Sequence, residues 1–308
     1  MTEIDSPSGA QWEIAAAGHR AVVVEVGGGL REYTLNGTAV LDGYAADEVC
    51  PGCAGQVLVP WPNRIRDGRY TFAEQNHQLS LSEPVLHNAI HGLARWVRWR
   101  PVETAADAIT VEYDIAAQPG YPWTLRLRTR YSVGPDGLRV DHEATNRSAD
   151  PAPFGLGVHP YLMIPGVEVD DLVLKLPTQQ RLLVDGRLLP MGAAKVTGGP
   201  FDFTEARRIG NARLDTAFGE VTLDDDGLAR AVLESPDGSQ TREVWADGTF
   251  GWWQVFTGDT LHGERLRRSV AMEPMTCPPD AFRSGRDVIT IASGETWHGS
   301  WGIRATVG

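Results

Sequence analysis

Along most of the chain, apolar and polar residues alternate with a period of two. In residues 123–131, Trp123, Leu125, Leu127 and Tyr131 fall on one face and Arg126, Arg128 and Arg130 on the other. Residues 138–144 repeat the pattern after Gly134-Pro135-Asp136-Gly137, which predicts an antiparallel hairpin. Residues 21–26, 54–60, 252–256 and 288–291, and the neighbourhood of Tyr113, are further strand candidates. Helical periodicity is nearly absent, and only residues 204–209 are expected to wind one or two turns. The 34 glycines and 20 prolines punctuate the chain at short intervals. Many short strands separated by turns predict an all-β fold, a sandwich or a barrel. No linker, charge block or repeat divides the sequence, so residues 1–308 are read as a single domain, one continuous large antiparallel β-sandwich with little helix.

Composition narrows the function. The hydrophobic fraction of 42% supplies a real core, and a net charge of -12 argues against nucleic acid or an anionic membrane as partner. No apolar run approaches the roughly 18 residues of a membrane span, and residues 1–6 lack the basic and apolar regions of a signal peptide, so the expected location is the cytoplasm. Gly27-Gly28-Gly29 is not followed by a helical pattern, which removes a phosphate-cradle reading. Cys50-Pro51-Gly52-Cys53 has redox spacing but runs into a strand pattern rather than a helix, and Cys277 stands alone; all three are expected to be reduced thiols.

Candidate chemistry sits where prolines and glycines stiffen the backbone. His159 precedes Pro160, Glu273 precedes Pro274, Asn63-Arg64 follow Trp61-Pro62, and His91 precedes Gly92. A residue before proline is held extended, and rigidly placed acids and bases suit proton transfer. Each has an ordinary alternative. His142 reads as a packed core histidine, and His19, His77 and His298 as solvent-facing. Arg64 could pair with Asp67 on a turn, and Asp215 could serve as a turn or cap. A carboxylate at Glu273, at the end of an apolar tract, must be solvated, paired or functional.

Taken together and in order, Asn63-Arg64-Ile65, His91-Gly92, His159-Pro160-Tyr161, Asp215 in Leu214-Asp215-Thr216-Ala217-Phe218, Gln254-Val255-Phe256-Thr257, Glu273-Pro274 and Pro279-Asp280-Ala281-Phe282 resemble the aldose 1-epimerase (galactose mutarotase) family, over about residues 21–301. The resemblance implies a mutarotase-like sandwich with a sugar site in an open cleft, no cofactor and no metal. The implied partner is a small-molecule aldohexose. By the family pattern Glu273 is the base that takes the C1 hydroxyl proton and His159 the acid that protonates the ring oxygen. His91 hydrogen-bonds near that oxygen. Asn63, Arg64, Tyr161, Asp215 and Gln254 hold hydroxyls, with Pro160 in the same substrate-binding tract, and Trp or Tyr rings cover the apolar sugar face. Each acid–base group supplies about 10²–10⁴ in rate, or roughly 3–5 kcal/mol of barrier.

The tracts Val59-Pro60-Trp61-Pro62-Asn63-Arg64-Ile65 and His91-Gly92-Leu93-Ala94-Arg95-Trp96 lean towards a bacterial subgroup similar to sulfoquinovose-associated mutarotases. Arg95 is then either a fork for a sulfonate or phosphate, a cation on a Trp96 or Trp99 face, or a surface ion-pair partner. Rival readings are a mutarotase for sulfonated or 6-phosphorylated hexoses, a His91–His159–Glu273 metal triad, and a carbohydrate-binding module without catalysis. The triad would normally draw two ligands from one short motif, which is missing here. A module needs no paired acid and base.

Overall fold

The computed structural model describes residues 6–308. Alternation closed by a tight turn organises its larger sheet. Leu125–Gly134 and Gly137–Asn146 pair antiparallel from Leu125↔Asn146 to Gly134↔Gly137. Leu125, Leu127, Tyr131 and Val133 are buried while Arg128 and Arg130 are exposed, so the period of two becomes one core face and one wet face. Gly137 sits at φ +104, and a Cβ there would lie 2.3 Å from the Ile303 carbonyl oxygen, a conformation and a contact that require glycine. Trp123 lies outside the strand, its ring meeting Phe72 edge-on.

Among the described residues this hairpin belongs to a nine-stranded sheet ordered Arg100–Thr104, Ala108–Ile115, Leu125–Gly134, Gly137–Asn146, Thr296–Thr306, Thr241–Asp247, Leu228–Glu234, Val173–Lys175 and Arg207–Arg208. A second sheet runs Pro190–Lys195, Thr178–Val184, Asp215–Val221, Trp252–Phe256, Val270–Met275, Gly157–Val158 and Val57–Leu58, with Tyr161–Leu162 also pairing along Val270–Met275. One buried cluster joins Leu127, Tyr131 and Val140 of the first sheet to Val158, Phe218, Trp253, Val255 and Met272 of the second. A further antiparallel sheet, Gln11–Ala16, His19–Val24, Leu30–Leu35 and Thr38–Ala39, contributes Ile14, Ala21, Val23 and Tyr33 to the same cluster. The chain is an all-β antiparallel sandwich, and no helix among the described residues is long and apolar enough to cross a membrane.

Several local expectations are corrected. Residues 204–209 do not wind. The Asp202 carboxylate accepts the Thr204 N–H at 3.1 Å and hydroxyl at 2.6 Å, an Asx-type turn, after which Arg207–Arg208 pairs with Val173–Lys175. The helical content lies instead in the single turn Ala281–Ser284 and the 3₁₀ turns Pro51–Cys53 and Gly263–Arg265. His19 is buried: its Nδ1 meets the Tyr33 hydroxyl at 2.8 Å and the rings stack. His77 is half-buried between Tyr70 and Trp123. His298 is exposed, as expected. Of residues 54–60, only Val57–Leu58 forms a strand.

Candidate active site

The second sheet builds the floor of a cleft. Trp252–Phe256 and Val270–Met275 pair so that Gln254 lies opposite Glu273, and Asp215–Val221 places Asp215 opposite Phe256 on the next strand. Neighbouring Cβ atoms across such pairs stand about 4.5–5.5 Å apart, which gathers three polar side chains on one patch. The Gln254 amide donates to the Asp215 carboxylate at 2.6 Å. Glu273 is 1% exposed and among the described residues no lysine or arginine forms an ion pair with its carboxylate; its Oε1 lies 3.3 Å from the His159 Nε2.

His159 sits between Gly157–Val158 and Tyr161–Leu162, its carbonyl accepting the Gly55 N–H at 2.9 Å. The following Pro160 carbonyl accepts the Met272 N–H at 3.2 Å, pinning this tract along the strand that carries Glu273. The His159 ring stacks on Tyr161 and meets His91 edge-on, with centroids 4.9 and 5.8 Å away.

The side wall comes from a second pairing, Arg64–Arg66 with Asn88–Ile90. Asn63 and His91 cap it with left-handed backbone (φ +54 and +59) and reciprocal bonds: the His91 N–H donates to the Asn63 carbonyl at 2.9 Å, and the Asn63 N–H donates to the His91 Nδ1 at 3.1 Å. That second bond makes Nδ1 an acceptor, so neutral His91 carries its proton on Nε2 and offers a donor there. Gly92 fixes the turn, since at φ +71 a Cβ would fall 2.0 Å from the Val59 carbonyl oxygen. The Val59-Pro60 bond is cis.

These elements enclose a cavity of about 270 Å³ lined by Asn63, Arg64, His91, Arg95, His159, Tyr161, Asp215, Gln254 and Glu273. Pro160 is buried without lining it. Tyr161 gives its hydroxyl proton to the Gly52 carbonyl at 3.0 Å, leaving its oxygen and ring to the cavity. Among the described residues the apolar part of the wall is Ile90, Phe256, Leu261 and Tyr161, and no tryptophan lines it.

Burial dominates the electrostatics. It pulls His159 down to about 3. His91 is held well below the usual histidine range by burial and then by the neighbouring His159, Arg95 and Arg64, each of which disfavours a further positive charge. Glu273 is pushed well above the carboxylate range by burial and by the neighbouring Asp215, with Arg64 opposing; Asp215 is raised by burial too. Both shifts favour the uncharged form of each partner, protonated Glu273 and neutral His159. Three buried polar atoms here, His159 Nδ1, Gln254 Oε1 and Glu273 Oε2, have no hydrogen-bond partner. Buried polar atoms are normally paired, and a polyhydroxylated ligand would supply what these lack. Among the described residues no three His, Cys, Asp or Glu side chains are grouped to hold a metal ion.

Residues 11–304 match the aldose 1-epimerase family. The chain belongs to that family. Membership places it among carbohydrate epimerases of the isomerase class. It is 34% identical over 289 residues to the uncharacterized protein YihR of Escherichia coli K12, covering 94% of this chain and 91% of that one. The fold matches the crystal structure of a GalM/aldose epimerase homologue from C. elegans with a TM-score of 0.85 at 17% identity, covering 96% of this chain and 98% of the other. It also matches galactose 1-epimerase from Lactobacillus acidophilus with a TM-score of 0.78 at 22% identity, over 97% and 95% of the two chains.

Sequence reasoning missed part of the wall. Arg64 does not pair with Asp67, which binds His87 and Arg187; its partner is Glu83, and Glu83 lines the cavity. Glu83 precedes Pro84, the same proline signal that singled out His159 and Glu273. Cys53 lines the cavity as well, its sulfur 3.0 Å from the Arg95 Nη1. All three cysteines are free thiols, with Cys50 pushed up to about 12 by burial.

Proposed function

We propose that this chain, acting as one domain, is an aldose 1-epimerase that interconverts the α and β anomers of a hexose by general acid–base ring opening and closure. The observation that carries the reading is the His159–Glu273 contact of 3.3 Å, buried in a polar cavity with, among the described residues, no lysine or arginine paired to the carboxylate. O1 and the ring oxygen share one carbon, so an acid and a base must act close together, and two groups in contact meet that requirement.

In the proposed cycle the dyad carries one proton. Held on Glu273 it is a neutral pair; transferred to His159 it becomes the base and acid that the reaction needs. Glu273 takes the O1 proton, His159 delivers its proton to the ring oxygen, and the C1–O5 bond breaks to the aldehyde. The dyad is then again neutral with its one proton on Glu273. Rotation about C1–C2 presents the other aldehyde face, and closure runs the two transfers backwards. The His91 Nε2–H donates to the ring oxygen as charge develops on it, a contribution that strengthens in a dry site. Asn63, Arg64, Asp215 and Gln254 hold hydroxyls, and Phe256 covers an apolar face. Optical rotation of fresh α-D-glucose and α-D-galactose is expected to relax faster with the protein than without it. No acceleration of these or of any charged hexose would overturn the reading.

A second reading has its own observation. Arg95 lines the cavity with Cys53 Sγ, the Ile90 carbonyl and the Trp96 ring as partners, and no carboxylate among them. That favours a hexose bearing a sulfonate or phosphate. A kcat/KM at least about tenfold higher for the anionic sugar than for glucose, lost in Arg95→Gln, would select it.

A further inference from the structure

Arg64 lines the cleft, yet its charge is already matched. Its Nε donates to the two Glu83 oxygens at 3.2 and 2.9 Å, and its Nη2 donates to Oε1 at 2.9 Å. Both side chains are largely buried, with 12% of Arg64 and 19% of Glu83 exposed, so solvent screens the pair weakly. A guanidinium has five N–H donors in a rigid plane. Glu83 takes the Nε–H and one Nη2–H, and among the described residues no protein acceptor meets Nη1.

Glu83 is itself braced. Its backbone exchanges two bonds with Asn88, N–H to carbonyl at 2.9 Å and the reverse at 3.1 Å, and the Asn88 amide donates to its Oε2 at 2.9 Å. Asn88 is fully buried and held in turn by Arg187, whose carbonyl accepts from Nδ2 at 3.2 Å and whose Nη2 donates to Oδ1 at 3.3 Å. Besides extending the Arg64–Arg66/Asn88–Ile90 pairing by a Glu83–Asn88 bridge, the arrangement fixes the plane and the net charge of one guanidinium.

We infer that Glu83 is a positioning and specificity residue of the sugar site: it cancels the charge of Arg64 and presents the remaining N–H groups as neutralised donors to sugar hydroxyls, so that Arg64 is closed to anions. The inference rests on the sugar reading of the cleft. It divides the two cavity arginines by task. An anion at Arg64 would face the Glu83 carboxylate across the guanidinium, whereas Arg95 has no such opponent. Any charged substituent on the sugar is thereby directed to the Arg95 end.

The test is Glu83→Gln, which keeps the shape and an acceptor for Asn88 but leaves Arg64 uncompensated. For a neutral hexose KM is expected to rise about tenfold with kcat within about twofold, the pattern of lost binding that is uniform in ground and transition states. Inorganic sulfate is expected to become a competitive inhibitor at least about tenfold stronger than against the wild type, and Glu83→Gln/Arg64→Gln should lose that inhibition. A folded Glu83→Gln with unchanged KM and unchanged sulfate response overturns the inference. Should Glu83→Gln not fold, Glu83→Asp keeps the charge but shortens its reach. It should raise KM without gaining sulfate inhibition, and an unchanged KM overturns the inference. If the wild type turns over no hexose, the sugar reading has failed by itself. Sulfate should then still raise the Tm of Glu83→Gln more than that of wild type or the double variant, and equal responses overturn the inference.

Discussion

His142, in the middle of the large sheet, and His159, in the cleft, start from the same physics. Both are buried, and burial pulls both down to about 3. They differ in their partners. The Trp301 Nε1–H donates to the His142 Nε2 at 3.0 Å, so the proton sits on Nδ1, which meets the Thr129 hydroxyl at 2.9 Å. Every polar atom of that ring is satisfied by a neighbouring strand. His159 has no partner at Nδ1 and points Nε2 at a buried carboxyl that itself lacks a partner on one oxygen. The strands around them repeat the contrast. Arg126 and Arg128 on the large sheet meet Asp114 and Glu112 across the register, while Glu273 faces the uncharged Gln254. A displaced pKa therefore does not by itself distinguish a core group from a reactive one; His159 differs from His142 by combining an unfilled hydrogen bond with a place in the cavity wall and a carboxyl partner.

Removing the base should break the cleft's half of this contrast most severely. Glu273→Gln is expected to lower kcat about 10²–10⁴-fold while sugar still binds, measured by polarimetry and by tryptophan fluorescence titration. His159→Gln should act similarly in kcat. His142→Gln, by comparison, should leave kcat within about twofold and lose about 1–3 kcal/mol of stability through its unmade buried bonds, read by urea unfolding.

Acid sharpens the comparison in the same direction for both rings. A histidine lowered in the folded state leaves the unfolded chain binding more protons below about 6.5, so stability falls as pH drops from there towards 3. The activity profile belongs to the dyad alone. With one proton shared, kcat/KM should fall towards about 3 as His159 takes a second proton, and fall again as pH rises through the raised Glu273 value. The smallest effect is on stability. Because Glu273 is raised in the folded state, between the ordinary carboxylate value and its raised value the folded chain holds a proton that the unfolded chain has lost, and stability declines as pH rises through that window. Glu273→Gln removes the penalty and should raise Tm by roughly 1–2 °C, the shift about 1 kcal/mol produces in a 308-residue chain.

Local chemistry was legible wherever the signal is local. The alternation of residues 125–133 and the Gly134–Gly137 turn state the hairpin outright, because side-chain period and turn type are properties of a few consecutive residues. The proline-stiffened His159 and Glu273 were found the same way, and the structure brings both to one cavity. What escaped depends on contacts between distant segments. Burial of His19 is decided by Tyr33 on the neighbouring strand, and the partner of Arg64 by a loop that the pairing of Arg64 with Ile90 brings alongside. Thr204 was misread because the turn is set by the Asp202 side chain rather than by periodicity. The apolar wall fell to Phe256 rather than to a tryptophan, since Trp252 and Trp253 are buried elsewhere while Phe256 borders the cavity.

The most direct test follows the optical rotation of freshly dissolved α-D-glucose, α-D-galactose and a 6-sulfonated hexose with wild type, Glu273→Gln and His142→Gln side by side. Rapid relaxation of at least one sugar with wild type and His142→Gln, and a loss of about 10² or more with Glu273→Gln, is the predicted result. Equal relaxation with wild type and Glu273→Gln would contradict the assignment of the buried dyad as the acid–base pair.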